Sequence, residues 1–330
     1  MYKQAYHNKD ISSSTFLVTG GAGFIGSNIV EYLLTYNAKK VVVLDNLSSG
    51  YFENIKPYIG LPNFEFIEGD IREFQICVNA LAGVDYVTHQ AALGSVPRSI
   101  KDPINTNSVN IDGFLNMITA VKDNGGIKKM VYAASSSTYG DSAHLPKVEG
   151  NEGSPLSPYA VTKLVNELYA DVFSKVYGLH TIGLRYFNVF GPRQNPDNPY
   201  AAVLPIFCKS FITGQQPQIF GDGNTTRDFT FVENAVQANI KAMLLEPLTK
   251  HEVFNIAFGD QVSLNEVVEL LQHISDKLIL ANYSEERKGD VRHSRASIKK
   301  AKEILDYQPQ FDFKQGLEIV YQWYKKLYEV

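Results

Sequence analysis

The chain has 330 residues, of which 44% are apolar and 20% are charged, a composition that is ordinary for a globular protein in water. This length suits one compact body with two lobes and is short for three domains. The net charge of −4, with no run rich in Lys or Arg, argues against a nucleic-acid-binding surface, so an anionic ligand must be met by a local site.

The cysteines and the first residues give expectations about location. Cys77 and Cys208 are the only cysteines, which excludes a disulfide framework and fits two isolated buried thiols in a cytoplasmic protein. Residues 1–14 are polar and lack the apolar core of a signal peptide, so we expect a flexible or loosely docked extension. No apolar run approaches the roughly 20 residues of a membrane span, and we expect no membrane partner.

Short β-branched runs alternate with amphipathic stretches through the first half of the chain. The predicted strands are Thr15–Thr19, Val41–Asp45, Phe64–Ile67, Asp85–Thr88 and Met130–Ala133. Helical patterns lie between them, from Phe24–Leu34 to the long stretch Tyr159–Val176. This alternation predicts βαβ units with right-handed crossovers, and hence an α/β fold with a Rossmann-type doubly wound parallel sheet.

The alternation weakens after about residue 186, where prolines become frequent and the pattern becomes less regular. We therefore assign residues 15–187 to the sheet domain, with a later segment near 229–258 returning to it. The segments 188–228 and 259–330 are predicted to form a smaller mixed α/β lobe at the C-terminal side.

A glycine-rich turn lies between the first strand and the first helix. Gly20, Gly23 and Gly26 would permit a tight turn, a close approach of backbone to a pyrophosphate, and close packing of helix on strand. The helix N-terminus offers unpaired N–H groups and partial positive charge to phosphates. The strand before the turn, the helix after it and Asp45 at the end of the second strand together predict a dinucleotide site.

Two aspartates follow the next strands. Asp45 lies 19 residues after Gly26, where a carboxylate accepts hydrogen bonds from both adenosine ribose hydroxyls and repels a 2′-phosphate, so NAD is favoured over NADP. Asp70 and Ile71, after the third strand, are candidates for the adenine wall, although an aspartate at a strand end is also a common helix cap.

Tyr159 and Lys163 are spaced to share one face of a helix. An ammonium beside a phenol favours the phenolate and lowers its pKa, so such a tyrosine can remove a proton from a hydroxyl near neutral pH. The spacing alone is weak evidence, since Tyr36/Lys40 and Tyr321/Lys325 match it too; we interpret both as surface helix pairs. Tyr159 differs because Ser135 precedes it at the predicted carboxyl end of the fifth strand, where ligands bind in open α/β sheets.

Several motifs in order resemble the extended short-chain dehydrogenase/reductase family, from about residue 14 to the end of the chain. They are Thr19-Gly20-Gly21-Ala22-Gly23-Phe24-Ile25-Gly26, Gln90-Ala91-Ala92, Ser135-Ser136-Ser137-Thr138-Tyr139-Gly140, Tyr159 with Lys163, and Arg185-Tyr186-Phe187-Asn188-Val189-Phe190-Gly191-Pro192. The resemblance implies that Ser135 bridges Tyr159 and a sugar O4, and that Lys163 holds the nicotinamide ribose. Residues 15–187 would then be the NAD-binding domain, and the smaller lobe would bind a UDP-sugar.

The family resemblance also implies a set of NAD contacts. The expected residues are Gly20, Gly23, Phe24, Ile25, Gly26, Asp45, Asn46, Ser48, Gly50, Asp70, Ile71, Gln90, Ala91, Ala92, Asn110, Tyr159, Lys163, Tyr186 and Val189. The seven histidines show no metal-ligand spacing, and we expect no metal.

Substrate contacts are implied by resemblance to sugar-nucleotide epimerases. Asn188, Ala202 and Val203 would lie near the diphosphate, Gln218 and Phe220 would flank the uracil, and Arg227 and Arg287 would meet phosphates, while Asp290 would hold ribose. Gly94, Ser95 and Val96, with Ser136 and Ser137, would face the sugar. Ser294 stands where a small residue makes room for a 2-acetamido group. The segments 94–99 and 289–294 look most like the UDP-N-acetylglucosamine 4-epimerase subgroup.

The residues after Ser135 bear on the reaction. Related 4,6-dehydratases and decarboxylases carry acidic residues there, whereas this chain has Ser136 and Ser137. That difference favours simple inversion at C4, with NAD regenerated in each cycle. A UDP-hexuronic acid epimerase, with Arg98 or Arg292 meeting the carboxylate, and a UDP-glucose/galactose 4-epimerase remain alternatives; a non-catalytic NAD-sensing protein is a remote one. The resemblance further implies a homodimer formed by helices near 101–123 and by the Tyr159 helix.

Overall fold

A computed structural model describes residues 2–197, 201–286 and 292–328 of the chain. Seven strands form its central sheet: β1 (Thr15–Thr19), β2 (Lys40–Asp45), β3 (Phe64–Glu68), β4 (Tyr86–His89), β5 (Lys129–Ser135), β6 (Thr181–Tyr186) and β11 (Glu252–Ile256). They lie in the order β3-β2-β1-β4-β5-β6-β11, and every pairing is parallel. This arrangement confirms the predicted Rossmann-type sheet.

Helices cover both faces of the sheet. Those of the sheet domain are α1 (Phe24–Thr35), α2 (Phe74–Ala80), α3 (Val96–Lys101), α4 (Pro103–Asn107), α5 (Gly113–Asn124), α6 (Pro158–Tyr177) and α8 (Val232–Leu244). Alternate side chains of a strand point to opposite faces, so Val131 packs in the core with α1 and α8, while Met130 and Tyr132 pack in the core with α5 and α6. The two cores hold the sheet edge, and hence the site, in place.

The smaller lobe is built from short elements. They are β7 (Val189–Phe190), α7 (Val203–Thr213), β8 (Gln218–Phe220), β9 (Thr226–Arg227), β10 (Thr230–Phe231), β12 (Val262–Ser263), α9 (Leu264–Ser275), β13 (Asn282–Ser284) and α11 (Phe313–Tyr328). The helix α10 (Lys299–Leu305) instead packs on β11 and α8 in the core of the sheet, contrary to the prediction that the whole of 259–330 belongs to the lobe. Their strands pair only two by two, as β10 with β7, β12 with β9 and β13 with β8. A third hydrophobic core, rich in phenylalanine, joins α7, α9 and α11.

Asp228 connects separate segments of this lobe. Its side chain is fully buried, and its carboxylate accepts hydrogen bonds from the backbone N–H groups of Phe258, Gly259 and Ala296 at 3.2, 3.1 and 3.0 Å. Burial raises its pKa to about 6, against the opposing effect of those three donors. One carboxylate therefore holds together parts of the chain that are about 30 and 70 residues apart.

The N-terminal segment does not match the expectation of a loosely docked extension. Tyr2, Tyr6 and Ile11 are buried. Tyr6 stacks on Tyr32 of α1, with ring centroids 5.4 Å apart, and its hydroxyl donates to Glu233 of α8. The polar composition concealed regularly placed aromatic side chains, which cover the outer face of α1.

One local prediction about helices is confirmed and another needs correction. Helical backbone runs from Pro103 to Asn124, as expected over about 101–123, with a π-helical turn at Ser108–Asp112 that joins α4 to α5. Tyr36 caps the end of α1 while Lys40 lies in β2, and Tyr321 is buried, so neither pair is a surface helix pair.

None of the helices in the described ranges combines the length and apolar character needed to cross a bilayer.

Candidate active site

One cavity of about 560 Å³ opens along the carboxyl edge of the sheet. It passes the glycine turn after β1, the ends of β2 and β3, and the catalytic candidates after β5 and on α6. Parallel strands bring all their carboxyl ends to one edge, which explains why motifs far apart in sequence meet here. The volume is in the range of small-molecule sites.

The glycine turn is shaped for close approach. Gly20 has φ of +67°, and a Cβ there would lie 2.6 Å from the backbone nitrogen of Ala91. Gly23 is the N-cap of α1 and supplies no side-chain hydrogen bond to the first helical turn, which opens into the cavity at Phe24 and Ile25. The first N–H groups of a helix lack intrahelical partners, so this turn can hold a pyrophosphate. The residues present therefore fit a dinucleotide.

Asp45 ends β2 and is mostly buried against this turn. Its Oδ2 accepts from the Ala22 N–H at 3.0 Å and its Oδ1 accepts from the Leu47 N–H at 2.8 Å. Burial raises its pKa, although both backbone donors oppose that rise. Each carboxylate oxygen has further lone pairs, so a pair of ribose hydroxyls can still be accepted.

Asp70 lies at the end of the neighbouring strand and has a different environment. The Arg72 guanidinium beside it lowers the pKa of Asp70 to about 2, and Asn46 also donates to its carboxylate at 2.9 Å. Asp70 is thus a fixed negative charge on the rim, held by its neighbours.

Ser135, Tyr159 and Lys163 meet in the same cavity. Ser135 ends β5 in extended conformation, and its Oγ accepts from the Ser137 N–H at 3.2 Å and is 2.9 Å from the Ser137 hydroxyl. Tyr159 lies in the first turn of α6, and Lys163 one turn later donates from Nζ to the Ala133 carbonyl at 2.7 Å. The Lys163 ammonium lies 5.9 Å from the centroid of the Tyr159 ring.

The protonation of this pair differs from the sequence expectation. Burial raises the pKa of Tyr159, and a hydrogen bond with Ser135 only opposes that rise. Burial also lowers the pKa of Lys163 to about 8, with Glu167 opposing the change. In the protein alone, desolvation therefore outweighs the influence of the ammonium, and Tyr159 holds its proton at neutral pH.

Most of the predicted residues lie around this cavity. Besides Ser135, Tyr159 and Lys163 they are Gly20, Gly23, Phe24, Ile25, Gly26, Asp45, Asn46, Ser48, Gly50, Asp70, Ile71, Gln90, Ala91, Ala92, Tyr186, Val189, Gly94, Ser95, Val96, Ser136, Ser137 and Asn188. Asn110 does not line it. Its side chain is buried behind the wall, where it accepts from the Leu93 N–H at 2.8 Å and donates to Thr162 at 3.1 Å.

Several expected substrate residues lie away from the cavity walls formed by the described residues. They are Ala202, Val203, Gln218, Phe220, Arg227 and Ser294. Gln218 and Phe220 belong to β8, paired with β13, and Ser294 donates its N–H to the Thr226 carbonyl at 3.2 Å. Arg287 and Asp290 lie outside the described residues.

The sequence analysis did not predict some of the residues that support or line the cavity. Asn239 is fully buried on α8 and donates to the Tyr186 hydroxyl at 2.7 Å, while its Oδ1 accepts from Gln90 at 3.1 Å. It thereby fixes two cavity residues from behind. An asparagine within a helical pattern gives no signal for this role. The cavity also includes wall residues that were not predicted, namely Leu44, Ser49, Gly69, Leu93, Val109, Ala133 and Ala134. Arg98, the candidate for binding a sugar carboxylate, lines it too.

Comparison with known proteins agrees with this geometry. The chain is 35% identical, over 91% of its length and 95% of the relative's, to a UDP-glucose 4-epimerase of Mycolicibacterium smegmatis. A solved UDP-N-acetylglucosamine 4-epimerase from Methanobrevibacter ruminantium, in complex with UDP-N-acetylmuramic acid, is similar at TM-score 0.90 and 38% identity, covering 96% of this chain and 99% of that one. A Bacillus cereus UDP-glucuronic acid 4-epimerase, with UDP-glucuronic acid and NAD, is similar at TM-score 0.88 and 32% identity, covering 95% and 100%.

The family assignment rests on most of the chain. Residues 16–257 match the NAD dependent epimerase/dehydratase family, a stretch that runs from β1 to the end of β11. The cofactor of that family is NAD, which agrees with the fit of the glycine turn and Asp45. This protein belongs to the NAD dependent epimerase/dehydratase family, and its relatives include UDP-sugar 4-epimerases.

Proposed function

We propose that the protein interconverts UDP-N-acetylglucosamine and UDP-N-acetylgalactosamine by inversion at C4 through a transient 4-keto sugar. The observation that carries this proposal is the distribution of acidic groups around the cavity. Among the described wall residues the carboxylates are Asp45 and Asp70, both at the ends of β2 and β3. Ser136 and Ser137 stand beside Ser135 instead, so the part of the wall near Tyr159 that the structure describes carries no acid for elimination of water.

Tyr159 and Ser135 provide the proton transfer. As a phenolate, whose oxygen is hydrogen-bonded to Ser135, Tyr159 takes the proton from the sugar C4 hydroxyl and later returns it. Bound NAD would supply the hydride acceptor and donor at C4. Because burial raises the pKa of Tyr159, the phenolate needs positive charge nearby; Lys163, with its pKa near 8, is still mostly an ammonium at pH 7 and lies one helical turn away.

Small side chains support an N-acetylated sugar. Gly94, Ser95, Ser136 and Ser137 line the cavity close to the catalytic residues, and they leave room while offering hydroxyls. Ser294 adds a further small residue in the substrate lobe. The similar epimerase from M. ruminantium is named for the same substrate.

A UDP-hexuronic acid is the second candidate, because Arg98 lines the cavity and a guanidinium pairs well with a carboxylate. The relatives named for glucose and glucuronic acid are similar at comparable identity. The substrates differ at C2 or at C6, so direct competition among them separates the proposals.

Purified protein incubated with a panel of UDP-sugars, followed by NMR of the C4 proton, tests the assignment. The panel is UDP-GlcNAc, UDP-GalNAc, UDP-Glc, UDP-Gal and UDP-glucuronic acid. We expect the highest kcat/KM with the two acetylated sugars and no accumulation of NADH. A preference for UDP-glucuronic acid would transfer the assignment to the second candidate. Steady release of NADH would reject epimerisation altogether.

We also propose a homodimer formed by the helical stretch at about 101–123 and by α6 of each subunit. Apolar side chains on this face are unusually exposed, including Ile104 at 83%, Val176 at 64% and Leu168 at 58%. Sedimentation at micromolar concentration should give a mass near twice 36.9 kDa, and a monomer would contradict the proposal. A cytoplasmic location remains a prediction.

A further inference from the structure

The backbone of Tyr159 is held by a side chain from another helix. Ser157 caps α6, with its Oγ accepting from the Ala160 N–H at 3.2 Å and its carbonyl accepting from the Val161 N–H at 3.0 Å. The Tyr159 N–H has no partner within the helix at this position. It donates to the Oγ of Ser99, on α3, at 3.1 Å.

Ser99 has the geometry of a fixed link. Its side chain is fully buried, and its hydroxyl proton goes to the Val96 carbonyl at 2.7 Å. A serine hydroxyl has one proton to donate, so this bond leaves its lone pairs to accept from Tyr159. The result is a directed chain from the Tyr159 N–H through the Ser99 hydroxyl to the Val96 carbonyl.

The other end of α3 faces the cavity. Ser95 caps this helix, accepting from the Arg98 N–H at 3.2 Å, and Ser95 and Val96 both line the wall next to the catalytic residues. A single turn-and-a-half of helix therefore connects wall residues at the sugar end to the backbone of Tyr159. A second hydrogen bond fixes α6 one turn further along, where the Lys163 ammonium donates to the Ala133 carbonyl near the end of β5.

We propose that Ser99 is a positioning residue that sets the place of the Tyr159 phenol relative to the sugar held by residues 94–96. This inference rests on the proposed C4 epimerisation. Ser99 does not line the cavity itself, so it acts only through Tyr159 and Val96. Removing its hydroxyl leaves the Tyr159 N–H unpaired and frees the first turn of α6 to shift.

The test compares Ser99→Ala with Ser99→Thr and with a matched control. A misplacement on the order of 1 Å can lower turnover by about 100-fold. We expect Ser99→Ala to lower kcat by at least about 10-fold, with KM for the UDP-sugar within about twofold, because the nucleotide contacts are untouched. Ser99→Thr keeps the hydroxyl and should restore most of kcat. Ser27→Ala is the control, since Ser27 is equally buried and donates to a carbonyl three residues earlier, but has no bond to Tyr159.

A double mutant separates positioning from simple stability. In a Tyr159→Phe background, Ser99→Ala should lower the residual kcat no further, since the phenol it positions is gone. Hydrogen exchange supplies a readout independent of turnover: Ser99→Ala should speed exchange of the Tyr159 amide while the Val161 amide stays protected. If Ser99→Thr does not fold, the double mutant and the hydrogen-exchange measurement still test whether Ser99 positions Tyr159.

Distinct results would overturn distinct claims. A wild-type protein that inverts C4 of no UDP-sugar would reject the proposed function, and the Ser99 inference with it. An active wild type with Ser99→Ala within twofold in kcat would reject the Ser99 inference alone. Multiplicative losses in the double mutant would reduce Ser99 to a structural role.

Discussion

The cofactor side of the cavity lies on the edges of hydrogen-bonded parallel strands, whereas the substrate side depends on a lobe whose strands pair only two by two. The glycine turn, Asp45, Asp70 and Ser135 all follow strands of one sheet, and they surround one cavity. Arg227, Gln218 and Ser294 come from separate short elements and lie off that cavity. The sheet edge therefore brings its predicted contacts to one cavity, whereas the predicted contacts of the lobe come from separate short elements.

The largest expected effect is on catalysis, and it tests whether the catalytic groups all lie on the sheet side of the cavity. Tyr159→Phe should lower kcat by about 10²–10⁴-fold, the usual contribution of a positioned acid–base group. Calorimetry should show unchanged binding of the UDP-sugar, because the lobe is untouched. A variant within tenfold of the wild-type kcat would remove Tyr159 from its role.

Matched glycine substitutions compare the rigidity of the two sides. Gly20→Ala should lower the melting temperature well beyond Gly221→Ala. Both residues have positive φ, at +67° and +87°, which costs an alanine about 1–2 kcal/mol. Only at Gly20 would the new Cβ also meet backbone, 2.6 Å from Ala91 N, whereas at Gly221 the nearest atom is the Cγ of Glu286 at 3.7 Å. Equal losses by calorimetric melting would mean that the turn is no stiffer than the lobe.

A substitution in the smaller lobe should change the selectivity for the sugar. Ser294 lies off the cavity in the protein alone, but the family resemblance places it beside a 2-acetamido group. Ser294→Tyr should therefore lower kcat/KM for UDP-GlcNAc and UDP-GalNAc at least about 10-fold relative to UDP-Glc and UDP-Gal. Both pairs are measured in wild type and variant, with Ser294→Ala as the control that keeps the space open. A parallel fall on all four sugars would contradict the pocket role of Ser294 and weaken the N-acetyl assignment.

Two aspartates should affect stability with opposite dependence on pH, and the effect of Asp70 should be the smallest. The pKa of Asp228 is raised to about 6, so between pH 4 and 6 the folded protein binds more protons than the unfolded chain and its stability falls as pH rises. Asp228→Asn should therefore lose most relative to wild type near pH 4 and least at pH 7, a change of about 1–3 kcal/mol. Chemical denaturation at each pH measures it.

For Asp70 the dependence of stability on pH runs in the opposite direction. Its pKa of about 2 means that its contribution is present above pH 4 and is lost as pH falls toward 2. Asp70→Asn should thus be most costly at pH 7, by under about 1 kcal/mol because Arg72 is well solvated. The same trend for both variants would show that burial does not control Asp228.

Sequence reasoning was strongest where a residue's role is fixed by local backbone. Gly20 and Asp45 could be placed because a strand, a turn and a helix follow each other within 35 residues. The buried N-terminal tyrosines could not, since Tyr6 is buried only through Tyr32 and Glu233, far along the chain. The protonation state of Tyr159 could not be predicted either. The sequence spacing shows that Lys163 is a neighbour, but it does not show how strongly burial desolvates both groups.

The return of β11 to the sheet has a consequence for synthesis of the chain. Its backbone pairs with β6 from Ile182 to Tyr186, so the edge of β6 has no partner until residues 252–256 have left the ribosome. By then only about half of the short elements of the lobe have been made. An unpaired parallel edge invites wrong pairing. A fragment that stops near residue 187 should therefore aggregate, and the two lobes should acquire their final structure together.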